Sequence, residues 1–151
     1  MANTIKASVG QQANSIIDIR IHTKINLLWF DKREITKALK AGGKTIQKEA
    51  RRLIANRAVS APGEFPGYDS GAMSKAIAVR ASSMGWYVKI MPYRTVAMGD
   101  DYYPAYLYYG TSRGLKPRAD FMEGAMARKR HAINRAIERA LLKTLRTPIK
   151  S

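Results

Sequence analysis

The residues with the means to do chemistry in this chain do not stand at spacings that chemistry requires. Gly43-Lys44-Thr45 ends like a phosphate-binding P-loop, but Ala38 stands where the first glycine of that motif belongs. The segment also carries a helical pattern instead of a strand-to-helix turn, so its backbone has no phosphate cradle to offer. Gly67-Tyr68-Asp69-Ser70-Gly71 resembles a nucleophile elbow, with the serine one place too late for Gly-x-Ser-x-Gly. His22 and His131 are the only imidazoles, one in a strand pattern and one in a helix pattern, so a Ser-His-Asp set has no base nearby. Neither histidine has metal-ligand spacing. Asp100-Asp101 reads as a loop pair, and adjacent residues rarely converge on one point. The chain has no cysteine, which removes thiolate catalysis, thiolate metal sites and disulfides. The expectation is a protein that is not an enzyme and uses no cofactor or metal.

Charge is the strongest signal that remains. The 151 residues include 27 Lys and Arg against 11 Asp and Glu, a net +16. The excess concentrates at +6 over residues 31–57 and +5 over residues 120–151, the two stretches with helical period. Lys37, Lys40, Lys44, Lys48, Arg51 and Arg52 in the first, with Arg128 and Arg135 in the second, are candidates for contact with DNA or an acidic partner. All eight tyrosines lie between positions 68 and 109, so the middle of the chain is aromatic. Apolar residues make up 46 %, too many for wholesale disorder. No run of eighteen apolar residues exists, and the first residues lack the apolar core of a signal peptide. The chain is expected to be soluble, made in the cytoplasm and without a membrane partner.

The elements that must position these residues follow from period and punctuation. Residues 1–14 are small and polar, and are expected to form a flexible N-terminal arm. Ile17, Ile19 and Ile21 alternate with Asp18, Arg20 and His22, which predicts a strand over 15–22. An apolar patch over 25–30 suits a lid, and Asp31 with Glu34 suits a helix start. Ile35, Leu39, Gly42, Ile46, Ala50 and Leu53 then recur at helical spacing and make one apolar stripe. Gly42-Gly43 within it marks a kink or a close crossing by another element.

Residues 60–71 hold two Pro-Gly turns and read as a long loop that orders against a partner. Ser70 is placed to cap a short helix through Ala76. Ile77, Val79 and Ala81, then Trp86, Val88 and Ile90, alternate about a turn at Met84-Gly85 and predict a hairpin. A loop over 93–101 leads to an aromatic strand over 102–109, ended by a positive-φ turn at Gly110. Asp120 with Glu123 opens the last helix, whose apolar face runs from Met122 through Ile133 and Ile137 to Leu141 and Leu145. Pro148 stops it. The fold class expected is α+β, with a small, mainly antiparallel sheet of about four strands. Two long helices pack on it, one after the first strand and one C-terminal. Residues 15–147 are expected to form one domain, with 148–151 as a tail.

The order of these motifs resembles the tail-completion, or neck, family of long-tailed bacteriophages, the lambdoid group that includes minor tail protein Z. The resemblance spans roughly residues 15–146. It rests on Pro62-Gly63 with Phe65-Pro66, on Ser70-Gly71, and on Tyr106-Leu107-Tyr108-Tyr109-Gly110-Thr111. Arg118 with Phe121-Met122 completes it. The chain departs from the family pattern at Tyr108, usually acidic, and at Asp120, usually proline. The resemblance implies a virion structural protein at the head-tail junction, in the neck or proximal tail, with no catalytic residues. It implies a homo-oligomeric ring of six copies, with twelve as the alternative, joining a head-tail connector to tail terminator or tube proteins around the DNA channel. The interface residues would be Pro62, Gly63, Phe65, Pro66, Ser70, Gly71, Tyr106, Tyr108, Tyr109, Gly110, Thr111, Arg118 and Phe121. The alternative is a nucleic-acid-binding protein without sequence preference, for which +16 and a tyrosine-rich sheet are the basis, since basic grooves and stacking aromatics serve that role.

Overall fold

Alternating isoleucines over residues 16–23 do form a strand, and the sheet is built around it. The computed structural model describes residues 5–12, 16–23, 32–54, 60–68, 70–98 and 102–145. Four strands, β1 (Ile5–Gln12), β2 (Ile16–Thr23), β3 (Ile77–Ala81) and β4 (Tyr87–Pro92), pair antiparallel in the order β1-β2-β4-β3. The register sets Ile17 opposite Ile90 and Ile19 opposite Val88. All four side chains are fully buried on one face. Along β4 the buried residues are Val88, Ile90 and Pro92, while Tyr87, Lys89 and Met91 are half-buried on the other face.

Two helices cover the buried face. α1 (Lys32–Leu53) packs on β2, β3 and β4, and α4 (Phe121–Leu145) packs beside α1 and over β1. Every residue of the expected α1 stripe is buried. Gly42-Gly43 is a close crossing: a Cβ on Gly42 would lie 3.0 Å from Ile133 Cγ2 of α4, and one on Gly43 2.7 Å from Val79 Cγ1 of β3. The α4 stripe holds at Met122, Ala125, Ile133, Ile137 and Leu141, although Ala136 is exposed. Asp120 caps this helix, its Oδ1 accepting from the Met122 and Glu123 N–H groups at 2.8 and 3.2 Å. The class is α+β, as the periodicities suggest.

Three expectations are corrected. Residues 5–12, expected in the flexible arm, are strand β1, because the backbone ladder with β2 is satisfied whatever the side chains are. Residues 102–109, expected as the aromatic strand, contain helix α3 (Tyr103–Tyr109). Pro104 sits in its first turn, where a missing N–H costs nothing, and Pro104 is buried and Leu107 half-buried while Tyr106 and Tyr109 are exposed. Gly110 does adopt φ +77°, but it closes a helix, donating to the Tyr106 carbonyl oxygen at 2.8 Å. Ser70, finally, is not the N-cap of α2 (Ala72–Ala76). Gly71 holds that position at φ +73°, and Ser70 Oγ accepts from the Ala72 N–H at 3.3 Å. The expected lid over 25–30, the cap at Asp31, the Asp100-Asp101 pair, the stop at Pro148 and the tail over 148–151 lie outside the described residues.

Candidate assembly surface

The Pro-Gly loop and the aromatic stretch, some forty residues apart in sequence, are brought to one end of the molecule. Gly63 N–H donates to the Pro117 carbonyl oxygen at 3.2 Å, and Ala119 N–H to that of Glu64 at 2.9 Å. These two bonds clamp the 60–67 segment to the stretch that leads into α4. Arg118 N–H in turn donates to the Leu107 carbonyl oxygen at 2.7 Å, which ties the same stretch to α3. Phe65 packs against Gly124, whose added Cβ would lie 3.0 Å from the ring, and Pro66 is fully buried. The expectation that residues 60–71 order only against a partner is therefore corrected. Exposed Pro62, Gly63 and Glu64 form a rim on a segment that Phe65 and Pro66 anchor in the core.

α3 stands over two hollows that share Pro66 and Leu107. The first, of about 300 Å³, is apolar and is walled by Pro92, Tyr102, Tyr108, Tyr109 and Phe121. The second, of about 290 Å³, is walled by Tyr68, Ser70, Gly71, Tyr103 and Arg118. Tyr102 donates its hydroxyl to the Pro92 carbonyl oxygen at 2.5 Å, fixing the first wall. Burial raises the Tyr102 pKa above that of a free phenol, so the donor stays protonated through neutral pH. Tyr108 and Tyr109 meet edge to face at 4.7 Å. Arg118 Nε is buried and lacks a hydrogen-bond partner among the described residues. Tyr68, Tyr106 and Tyr109 remain 43 %, 43 % and 59 % exposed, large for aromatic rings and grouped on this end.

The residues expected to form an interface thus divide by role. Tyr106, Tyr109, Pro62 and Gly63 are outward. Phe65, Pro66, Gly71 and Phe121 support them from beneath. Gly110 is structural: at φ +77° an added Cβ would lie 2.6 Å from the Leu115 carbonyl oxygen. Thr111 closes the adjoining turn, its N–H donating to that same oxygen at 2.9 Å and its Oγ1 accepting from Leu115 N–H at 3.3 Å.

The basic residues expected to meet DNA or an acidic partner also divide. Arg51 is exposed but tied to the backbone, Nε donating to the Ser74 carbonyl oxygen at 2.9 Å and Nη2 to that of Ile77 at 3.0 Å. Arg52 and Arg128 are engaged by Glu49, the one buried charged residue among those described. Arg52 Nη2 and Nε lie 2.6 and 3.1 Å from its carboxylate, Arg128 Nη1 3.4 Å and Lys129 Nζ 3.7 Å. The hydrogen bonds from Arg52 outweigh burial and hold the Glu49 pKa at about 2, against an ordinary 4.5. Glu49 and these cations join α1 to α4, a link sequence spacing alone does not reveal across 79 positions. Lys37 is 3.7 Å from Glu34, an exposed pair of little consequence. Lys40, Lys44, Lys48 and Arg135 are exposed and make no ion pair among the described residues.

No group of three or more acidic, histidine or cysteine side chains suited to a metal occurs among the described residues. Within the same residues no helix is long and apolar enough to cross a membrane. No protein-family model, curated protein or solved structure matches this chain.

Proposed function

We propose that this chain is a virion structural protein of a bacteriophage head-tail junction, a neck or tail-completion subunit. It assembles as a homo-oligomeric ring, with six copies favoured over twelve, between a head-tail connector and the tail terminator or tube. The observation that carries the reading is the convergence at one end of the Pro62 loop, α3 and the stretch before α4, which are the segments of the family resemblance. An end with three exposed tyrosines beside an apolar hollow suits a protein partner, because tyrosine is among the residues around which interfaces concentrate their energy. A ring requires two different patches that meet head to tail, and a surface confined to one end serves as one of them.

The test uses phage carrying Tyr106→Glu with Tyr109→Glu, since both rings are exposed and neither supports the core. The expected outcome is a soluble, folded protein and a block in joining, so that filled heads and finished tails accumulate separately in the lysate. Infectious particles at normal yield would remove this surface from assembly. Gly110 is a poor probe, because any side chain there collides with the Leu115 backbone before it reaches a partner.

A further inference from the structure

The far face of α1 carries a second surface, separate from the assembly end. Lys32, Arg33, Lys37, Lys40 and Lys44 line a groove of about 960 Å³ whose opposite wall is the 81–85 turn of the β3-β4 hairpin. All five cations are exposed, and among the described residues no acidic one lines the groove. The wall is uncharged, formed by Ala81, Ser82, Ser83 and Gly85. Thr36 Oγ1 donates to the Gly85 carbonyl oxygen at 3.2 Å and ties this wall to α1. Gly85 adopts φ +76°, and a Cβ there would lie 2.6 Å from Thr36 Oγ1, so the close approach that shapes the groove requires glycine.

We infer that this groove binds the phosphodiester backbone of a nucleic acid, without reading its sequence. Positions three and four apart on a helix are neighbours about 5–6 Å apart, so Arg33, Lys37, Lys40 and Lys44 form one continuous cationic row. Lys37, Lys40 and Lys44 are like charges with one ion-pair partner among the described residues, Glu34 at 3.7 Å from Lys37, so they repel one another, and a polyanion relieves that repulsion while releasing its own counterions. The chemistry favours nucleic acid over an acidic protein. Interfaces between proteins are depleted in lysine, whereas four of the five cations here are lysines. Hydroxyls of Ser82 and Ser83 and mobile ammonium groups suit phosphate oxygens and present nothing arranged for base edges. The inference does not rest on the head-tail reading. Among the basic residues, Arg51, Arg52 and Arg128 hydrogen-bond within the subunit, whereas Lys40 and Lys44 of this groove are exposed and make no ion pair among the described residues.

The experiment measures fluorescence anisotropy of a labelled 20-nucleotide single strand and a 20-base-pair duplex with the full chain at 50 to 300 mM salt. Three proteins are compared: wild type, Lys37→Glu/Lys40→Glu/Lys44→Glu, and Lys75→Glu/Arg130→Glu/Arg139→Glu, which removes equal charge from other exposed positions. Wild type should bind strands of unrelated sequence alike, with log affinity falling against log salt at a slope of about −3 for four or so phosphates. The groove variant should lose at least about tenfold in affinity at 100 mM salt and flatten the slope to about −1, while the control loses threefold or less. Equal losses in the two variants would assign binding to net charge and overturn the groove. So would tighter binding of a polyglutamate peptide than of either nucleic acid at equal salt, or no nucleic-acid binding at 50 mM salt. Circular dichroism and thermal unfolding of each variant establish that it is folded. If the triple variant does not fold, Lys40→Gln/Lys44→Gln, which introduces no new charge, takes its place and should give at least a threefold loss with a flatter slope.

Discussion

A buried carboxylate that keeps its charge must have cations close enough to offset the loss of water, and Glu49 has three, on two helices. Its pKa is lowered in the folded state, so the stability it contributes is fully present above its ordinary 4.5 and is lost as pH falls through about 2. Glu49→Gln should therefore lower stability at pH 7 by about 1–2 kcal/mol, toward the lower end for a buried charged hydrogen bond, because the three cations are half-exposed and return to water. Thermal unfolding across pH 2–6 checks both sign and size. Wild type should lose its advantage over Glu49→Gln progressively between pH 5 and pH 2, and the two curves should meet at the acid end. A constant gap across that range would show that the carboxylate is not the titrating group.

Elements whose burial repeats with their own period were legible in the sequence, and elements formed by pairing or by a single special residue were not. Ile17 and Ile19, Val88 and Ile90, and the Ile35-to-Leu53 stripe each sit where alternation or helical spacing puts them. β1 does alternate Ile5, Ala7 and Val9 with Lys6, Ser8 and Gly10, a period-two signal that its small side chains and polar surroundings obscure, and its partner β2 supplies a complete ladder. In residues 102–109 the aromatic content argued for strand and Pro104 argued for a helix start; the proline was the stronger signal. Trp86, aligned by alternation with Val88 and Ile90, lies beyond the end of β4 and is 45 % exposed. At the candidate site, the motif residues were visible singly, but the clamp from Gly63 to Pro117 and from Ala119 to Glu64 depends on contacts distant in sequence. Of the kink and the close crossing that Gly42-Gly43 allows, the structure shows a crossing. Replacing Gly43 by alanine gains about 1 kcal/mol of helix propensity but forces a Cβ to 2.7 Å from Val79, a stiff β-branched side chain. Overpacking costs about 1–3 kcal/mol, so Gly43→Ala should lower stability by up to about 2 kcal/mol in urea unfolding. A more stable variant would mean that β3, an edge strand, shifts freely.

At the scale of the whole molecule the two proposed surfaces should respond to salt in opposite directions. A net +16 repels one copy from the next over about 10 Å at 0.1 M salt, while the contact proposed at the α3 end is aromatic and apolar. Added salt screens the repulsion and leaves the apolar contact in place. Self-association should therefore be weak at 50 mM salt and rise at 500 mM, and Tyr106→Glu/Tyr109→Glu should abolish the rise. Nucleic-acid binding in the α1 groove, driven by counterion release, should fall over the same range. A polyanion in that groove also neutralises the charge that keeps subunits apart, so a short duplex added at 50 mM salt should itself promote association. Sedimentation velocity at the two salt concentrations, with and without a 20-base-pair duplex, measures all of this in one series. Association that weakens as salt rises without nucleic acid would mean that the subunits meet through ion pairs, and the aromatic end would then not be the ring contact.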